Sequence, residues 1–525
     1  MVLPFSFFGI PSGHDFEFHV NSWIDVSSQW KQGILYPRWA HQAQWGFGEA
    51  RFIFYPPASW TLGALLGVIL PWRFVPVVYI WIVLTLSGCS MFILARNWLG
   101  RRDAVFAAVL YAVNPYYLIV VYWRSAFAEL LAGALLPLLV LYVLRLERDG
   151  RRAALPLALV CAAAWLTNVP AAVMLNFSLL VLVAALAWLR RDPRVLLWAG
   201  LAAGLGAGLA AFYLVPVVFE RNWVQIAQVL SPGVRPQDNF LFTRSADLDH
   251  YRFNLLVSLA AAWEIILVAA AAFYSRRWRK RAPRLWWALA IWGAIASGLM
   301  FRFTLLGWRF LPVLRYVQLP WRWLLCLNIV FVLLAAMAWK RWPMRLLVYG
   351  AMLVVLGFGW HRLQTPWWDT KLDIAEMVEN QRTGLGYEGT DEYLPAGADP
   401  YEVKHDAPQV TFTGKVIGKV QVQRWAPETK AFIAESARPA MLALHLFNFP
   451  AWQVEVNEHI VSAQSEEATG QMLIPVEAGE NQVRVTFLRT WDRTVGGIVS
   501  LIAMMLAVIM GYQLLKQKRA HAAAR

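Results

Sequence analysis

Charged residues and cysteines are scarce in this chain of 525 residues. Asp, Glu, Lys and Arg make up 15% of it, against about a quarter in soluble domains, so they are too few to cover a water-facing surface. The three cysteines all lie in apolar runs, which excludes a disulfide scaffold and a cysteine-based zinc site. The chain also lacks a glycine-rich phosphate loop after a strand, Cys-x-x-Cys and His-Glu-x-x-His. The sequence therefore predicts no cofactor and gives no support to a divalent metal.

Apolar residues dominate instead, at 59% of the chain, together with 29 tryptophans. Tryptophan collects at membrane–water boundaries, and a spanning helix needs about 20 apolar residues. These features indicate a polytopic α-helical membrane protein. The apolar runs that predict spans lie at 74–95, 104–121, 127–144, 153–167, 171–189, 195–219, 254–275, 285–301, 323–339, 345–360 and 495–515.

The net charge of +15 comes mostly from Lys and Arg in every second loop between these runs. The basic clusters lie at 96–102, 145–152, 190–194, 276–284, 340–345 and 516–519. By the positive-inside rule these loops are cytoplasmic, so the charge is a topology signal and does not indicate nucleic-acid binding. We expect a multi-pass membrane protein whose basic loops face the cytoplasm.

The predicted organisation has six parts, with about 11–12 transmembrane helices. Residues 1–10 are apolar but too short to span, and we interpret them as the remainder of a truncated first membrane segment. A first extracytoplasmic loop at 11–73 contains an interface helix at 57–70, and the transmembrane helical domain covers 74–360. Residues 361–494 predict an extracytoplasmic β-sandwich, because they contain period-two strands at 410–423, 430–436, 440–447, 452–456, 471–476 and 481–488. A last span at 495–515 and a cytoplasmic tail at 516–525 follow.

Candidate site residues lie in the extracytoplasmic loops. The segment from Gly13 to His19 holds His14, Asp15, Glu17 and His19; Glu17 suits a solvated loop, whereas Asp15 lies in a charge-poor segment and needs a partner. His14, Asp15 and His19 alone form too small a cluster to predict a metal site.

Two further blocks carry arginine near the membrane boundary. Arg124 stands at a helix mouth five residues before Glu129, which indicates either a functional pair or a snorkelling arginine with a local partner. The 302–322 loop has four arginines and ends in Gln318-Leu319-Pro320-Trp321-Arg322. Guanidinium groups bind phosphate bidentately, so this loop predicts an anionic ligand or anchoring to lipid headgroups. Glu220 could face the same cavity, and Glu264 lies in mid-span.

Several ordered blocks resemble one known family. They are Gly13-His14-Asp15 with His19, the segment 33–39, Gly46-Phe47-Gly48, Phe54-Tyr55-Pro56-Pro57, the segment 123–129 and the segment 318–322. Together they resemble the bacterial membrane proteins called 6-pyruvoyl-tetrahydropterin synthase-related. The C-terminal segments 449–454 and 475–479 are similar to the tail domain of glycosyltransferase-like proteins such as the YfhO group. The family's layout resembles the GT-C glycosyltransferase fold, and the chain lacks the histidine spacing of a pterin synthase.

This resemblance implies a multi-pass protein of the bacterial cytoplasmic (inner) membrane. It also implies an enzyme that transfers a sugar from a polyprenyl-phosphate donor, at the extracytoplasmic face, to a glycan or protein acceptor of unknown identity. Asp15 would be the general base, with His14 beside it and Glu129 orienting Arg124. The predicted substrate-binding residues are Arg124, Arg322, Gln318, Tyr55 and His19. The alternative is a non-catalytic scaffold or a lipid-linked-glycan transporter of cell-envelope biogenesis.

Overall fold

The computed structural model describes residues 2–363, 368–414 and 416–523, and most of them before residue 384 are helical. The helices are α1 (Phe5–Phe8), α2 (Phe16–Lys31), α3 (Arg51–Phe54), α4 (Pro57–Ile69), α5 (Val75–Ala95), α6 (Arg101–Ala112), α7 (Pro115–Ile119), α8 (Phe127–Gly133), α9 (Leu136–Asp149), α10 (Arg151–Trp165), α11 (Val169–Arg190), α12 (Arg194–Leu209), α13 (Ala211–Glu220), α14 (Leu248–Tyr274), α15 (Trp278–Arg281), α16 (Pro283–Leu299), α17 (Leu305–Phe310), α18 (Leu324–Ala338), α19 (Trp342–Leu363), α20 (Lys371–Thr383) and α21 (Trp491–Ala523). All eleven predicted spans fall on helices.

Among the described residues, seven helical segments are long and apolar enough to cross a membrane, which confirms a polytopic helical membrane protein. Two more candidate spans are bent pairs: α12 and α13 meet at 75°, and α16 meets the segment Arg302–Phe310 at 92°. The two remaining predicted spans correspond to α10, with 15 residues, and to α19. Counting each bent pair as one span gives up to nine among the described residues, two fewer than the eleven apolar runs, because α10 has only 15 residues and the described apolar part of α19 is Trp342–Val355.

The strands, apart from one short pair, lie between α20 and α21. They are β1 (Ile10–Pro11), β2 (Trp368–Asp369), β3 (Val410–Phe412), β4 (Gly418–Ala426), β5 (Thr429–Ser436), β6 (Ala440–Phe447), β7 (Trp452–Val456), β8 (His459–Val461), β9 (Gln464–Ser465), β10 (Gln471–Val476) and β11 (Gly479–Phe487). One antiparallel sheet has the order β3-β6-β10-β9 and the other β4-β5-β11-β7-β8.

Alternate residues of the two sheets are buried against each other in a single core. Leu442 and Ile474 from the first sheet join Phe432 and Val485 from the second. This is the two-layer packing that period-two sequences produce, so the predicted sandwich is present. Lys415, within the predicted strand 410–423, lies outside the described residues.

Helical segments lie near both ends of the described chain. Residues Phe5–Phe8 form one turn, and the next residues pair with β2, Ile10 opposite Asp369. The interpretation of 1–10 as a truncated span stays a prediction, and Met1 lies outside the described residues. The predicted tail at 516–525 continues α21 as far as Ala523, and its last two residues also lie outside them.

Candidate functional site

The site is built around a break in the helical path between α6 and α9. After α7, residues Val120–Arg124 form a π-helical turn, and Ser125 then adopts a left-handed backbone with φ 49°. Single π turns and strained non-glycine residues concentrate at functional sites. Here the break turns Arg124 back toward α8, where its Nη1 donates to Glu129 Oε2 over 2.6 Å. The loop expected at 122–126 is thus a distorted helical turn.

The N-terminal segment docks on this turn through backbone hydrogen bonds. Gly13 N donates to Ser125 Oγ over 3.0 Å, and Asp15 N donates to Arg124 O over 2.9 Å. A Cβ atom on Gly13 would lie 2.5 Å from the carbonyl carbon of Arg124, so only glycine permits this approach. The docking holds the Asp15 carboxylate near Arg124, with Oδ2 3.4 Å from Nη2.

A second arginine reaches the same cluster from the start of α18. Arg322 Nε donates to Glu129 Oε2 over 3.1 Å, and Nη1 donates to Gln318 Oε1 over 2.9 Å and to Val317 O over 2.8 Å. Gln318 has a positive φ of 65°, which is strained for a residue with a side chain. The hydrogen bonds found within the described residues use Nε and Nη1 of Arg322, which leaves Nη2 available to a ligand.

The cluster contains two positive and two negative side chains, but they differ in exposure. The side chains of Glu129, Arg124 and Arg322 are 1%, 7% and 8% exposed, whereas that of Asp15 is 38% exposed. Buried charges require partners, and Glu129 is the partner of both arginines while also accepting from the Tyr116 hydroxyl. Asp15 is therefore the carboxylate that remains open to a substrate.

The remaining predicted residues surround Asp15. His19 is buried among aromatic rings, 5.9 Å from Tyr55 and 5.2 Å from Phe127 between centroids. Burial lowers the pKa of His19 to about 4. His14 is exposed at the edge, 6.0 Å from the Phe253 ring, and partial desolvation lowers its pKa as well. Both imidazoles are therefore neutral at pH 7 and add no charge to the cluster.

Two sequence expectations need correction. Only Arg322 of the four arginines in the 302–322 loop joins the cluster, because the side chains of the other three are exposed. Glu220 does not face this site: it forms a two-pronged ion pair with Arg493 at 2.7 and 2.8 Å. Glu264 is buried, and no hydrogen-bond partner is found for its Oε1 among the described residues.

Sequence reasoning missed a buried polar network that joins the first loop to residues 387–390. Arg51 Nε donates to Glu49 Oε1 over 2.6 Å, Thr390 N donates to Glu49 Oε2 over 2.9 Å, and the Tyr387 hydroxyl donates to Asp25 over 3.2 Å. Burial raises the pKa of Asp25 to about 6. Glu49 and Arg51 are only two residues apart in a turn, so the sequence alone gave no sign that they are buried. Tyr116 was missed as well, because it lies in an apolar run.

No group of three or more His, Cys, Asp or Glu side chains that could hold a metal ion occurs within the part of the chain that the structure describes. The expectation of no cofactor stays a prediction.

The structure is that of a polytopic helical membrane protein with a charge-balanced polar cluster at the ends of its candidate spans. Residues 52–364 match the 6-pyruvoyl-tetrahydropterin synthase related domain, which is described as a membrane protein. The chain belongs to this family, which confirms the resemblance found in the sequence. No curated protein matches the chain.

Two solved structures are similar to part of the chain. One is a single-particle cryo-EM structure of the arabinofuranosyltransferase AftD from Mycobacteria, with 19% identity and a TM-score of 0.35, covering 74% of this chain and 26% of that one. The other is a mutant of the same protein, with 18% identity and a TM-score of 0.37, covering 74% and 27%. The chain thus spans about a quarter of the length of these neighbours.

Proposed function

We propose that this protein is a membrane glycosyltransferase that takes its sugar from a polyprenyl-phosphate donor at the extracytoplasmic face of the bacterial cytoplasmic membrane. The observation that carries the proposal is the difference in exposure between the two carboxylates of the cluster. One carboxylate, Asp15, is 38% exposed, and it lies beside two arginines that are held by the buried Glu129. A general base next to a phosphate-binding guanidinium pair is what glycosyl transfer from a lipid phosphate requires.

In the proposed reaction Asp15 removes the proton from an acceptor hydroxyl. The hydroxyl oxygen forms a bond to the anomeric carbon while the bond from that carbon to the phosphate oxygen breaks. The electron pair stays on the phosphate, which changes from a monoanionic diester to a dianionic monoester as Asp15 becomes neutral. Atoms and charge balance, and general-base help of this kind is worth about 10²–10⁴-fold in rate.

The two arginines act on the leaving phosphate. Arg322 Nη2 offers unused N–H donors, and Arg124 lies 5.3 Å from the Trp321 ring, which shields it from water. Hydrogen bonds to charged groups contribute about 1.5–3 kcal/mol each, and they strengthen as the phosphate gains its second charge. Glu129 keeps both guanidinium groups in place, and Gln318 positions Arg322 through Nη1.

The test is the substitution Asp15→Asn in the full-length protein, with Glu17→Gln as the matched control. Glu17 is an exposed carboxylate two residues away. The Asp15→Asn variant should bind polyprenyl-phosphate sugar and fail to transfer it, while Glu17→Gln transfers at the wild-type rate. Normal transfer by Asp15→Asn would refute the base assignment. A deletion phenotype that Asp15→Asn rescues would instead favour the scaffold function.

A further inference from the structure

A groove lies between the bend that joins α12 to α13 and the first half of α21, far along the chain from Asp15. Its volume is about 510 Å³. Its lining residues are Leu209, Phe212, Arg489, Thr494, Gly497, Ile498, Ser500, Leu501 and Met504. The α21 positions 494, 497, 498, 501 and 504 recur every three or four residues, so they form one helix face. The groove therefore runs along the axis of α21.

Polar backbone groups exposed by the bend are already satisfied. Ser500 Oγ donates toward Gly208 O over 3.1 Å and Leu209 O over 3.2 Å, and it accepts from Phe212 N over 2.9 Å. Because this hydroxyl replaces helical hydrogen bonds at the break, the floor of the groove offers a ligand mainly apolar contacts. An apolar chain is the occupant that such a floor favours.

The end of the groove nearest the β-sandwich carries a positive charge. Arg489 is exposed, and no acidic partner is found for it among the described residues. The neighbouring Arg493 is held by Glu220. Trp491 is 61% exposed and packs edge-on against Phe219 at 4.6 Å, as expected for a tryptophan at the membrane–water boundary. From this end, Arg489 Nη2 reaches along α21 to 3.1 Å from where a Cβ atom on Gly497 would lie, so the guanidinium enters the groove beside Gly497.

We propose that this groove binds an anionic glycerophospholipid, with its phosphate on Arg489 beside Gly497 and one acyl chain along the face from Gly497 to Met504. Seven residues of helix span about 10 Å, which lies within the depth of a single leaflet, about half of a hydrocarbon core of about 30 Å. The length thus fits one acyl chain, and the free guanidinium fits a phosphate. This lipid site is independent of the proposed glycosyl transfer.

The experiment is native mass spectrometry of the full-length protein released from nanodiscs of phosphatidylglycerol and phosphatidylcholine in equal amounts. One arginine near a lipid surface is worth about 1 kcal/mol, so Arg489→Gln should reduce the preference for phosphatidylglycerol about fivefold. Arg484→Gln is the matched control, because Arg484 is an exposed arginine on β11, outside the groove. It should keep the wild-type preference.

A second variant tests the apolar floor. A Cβ atom on Gly497 would lie 3.1 Å from Arg489 Nη2, so a larger residue there would also disturb the arginine. Leu501→Asn instead puts a polar amide on the apolar floor one turn further along the same face of α21. It should reduce the number of lipids retained. Wild-type retention and preference in both Arg489→Gln and Leu501→Asn would overturn the proposal. Displacement of phosphatidylglycerol by equimolar polyprenyl phosphate would overturn the choice of a glycerophospholipid.

Discussion

The Glu129 carboxylate is the common partner of two buried arginines, so its removal should be costly. Arg124 and Arg322 donate to it over 2.6 and 3.1 Å, and its side chain is 1% exposed. In Glu129→Gln the size is kept and the charge is lost, which changes the net charge of the cluster from zero to +1. Breaking a buried ion pair by removing one partner costs about 3–5 kcal/mol, because the other charge stays buried.

The assay is thermal unfolding of the purified protein in detergent at pH 7, with Glu264→Gln as the control. Glu264 is also a buried carboxylate in a membrane helix, but no ion pair is found for it in the described residues. Neutralising an unpaired buried acid should leave stability unchanged or raise it. Glu129→Gln should therefore unfold well below the wild type while Glu264→Gln does not.

An added anion gives the sharper readout. Because the Glu129→Gln cluster carries an uncompensated positive charge, a short-chain polyprenyl phosphate should raise its unfolding temperature more than that of the wild type. Equal unfolding temperatures for Glu129→Gln and the wild type, with no difference in the effect of the anion, would refute the account of the cluster.

Two further predictions concern the docked loop and the β-sandwich. Gly13→Ala should displace the Asp15 loop and abolish sugar transfer, because the added Cβ would lie 2.5 Å from the carbonyl carbon of Arg124. The control Gly200→Ala should transfer sugar normally, because a Cβ atom there has nothing within 4 Å. Equal transfer by the two variants would contradict the docking of Gly13. Lys430 is buried, and burial lowers its pKa to about 7. The unfolded lysine keeps its proton up to about pH 10.4, so the wild type should gain stability as pH rises from 7 to 9.5, and Lys430→Met should lack this gain in pH-dependent unfolding. If the stability of Lys430→Met rose with pH as much as that of the wild type, the conclusion that Lys430 is buried as a neutral amine would be contradicted.

The helices and strands followed from local sequence patterns. All eleven apolar runs are helical, and strands β6, β7 and β10 begin and end at the predicted residues. The spacing of apolar residues predicts these elements because it shows which side of a local segment is buried. This spacing does not report bends, since the break between α12 and α13 depends on Ser500, nearly three hundred positions away in the chain.

The sequence predicted which charged residues form the candidate site but not how they contact one another. Asp15, Arg124, Glu129 and Arg322 stood out because charges at a membrane boundary are expensive. Their arrangement depends on contacts that no local pattern reports, such as the docking of Gly13 on a turn more than a hundred residues away. The same holds for the network of Glu49, whose partner in the distant segment is a backbone N–H.

The most direct test of the central claim is binding of polyprenyl phosphate, compared with polyprenol of the same length, to the wild type and to Arg322→Lys. Lysine keeps the positive charge beside Glu129 but lacks the planar fork that provides Nη2. The account predicts saturable binding of the phosphate by the wild type, weak binding of polyprenol, and a loss of the phosphate preference in Arg322→Lys. Equal binding of phosphate and polyprenol by the wild type would contradict it.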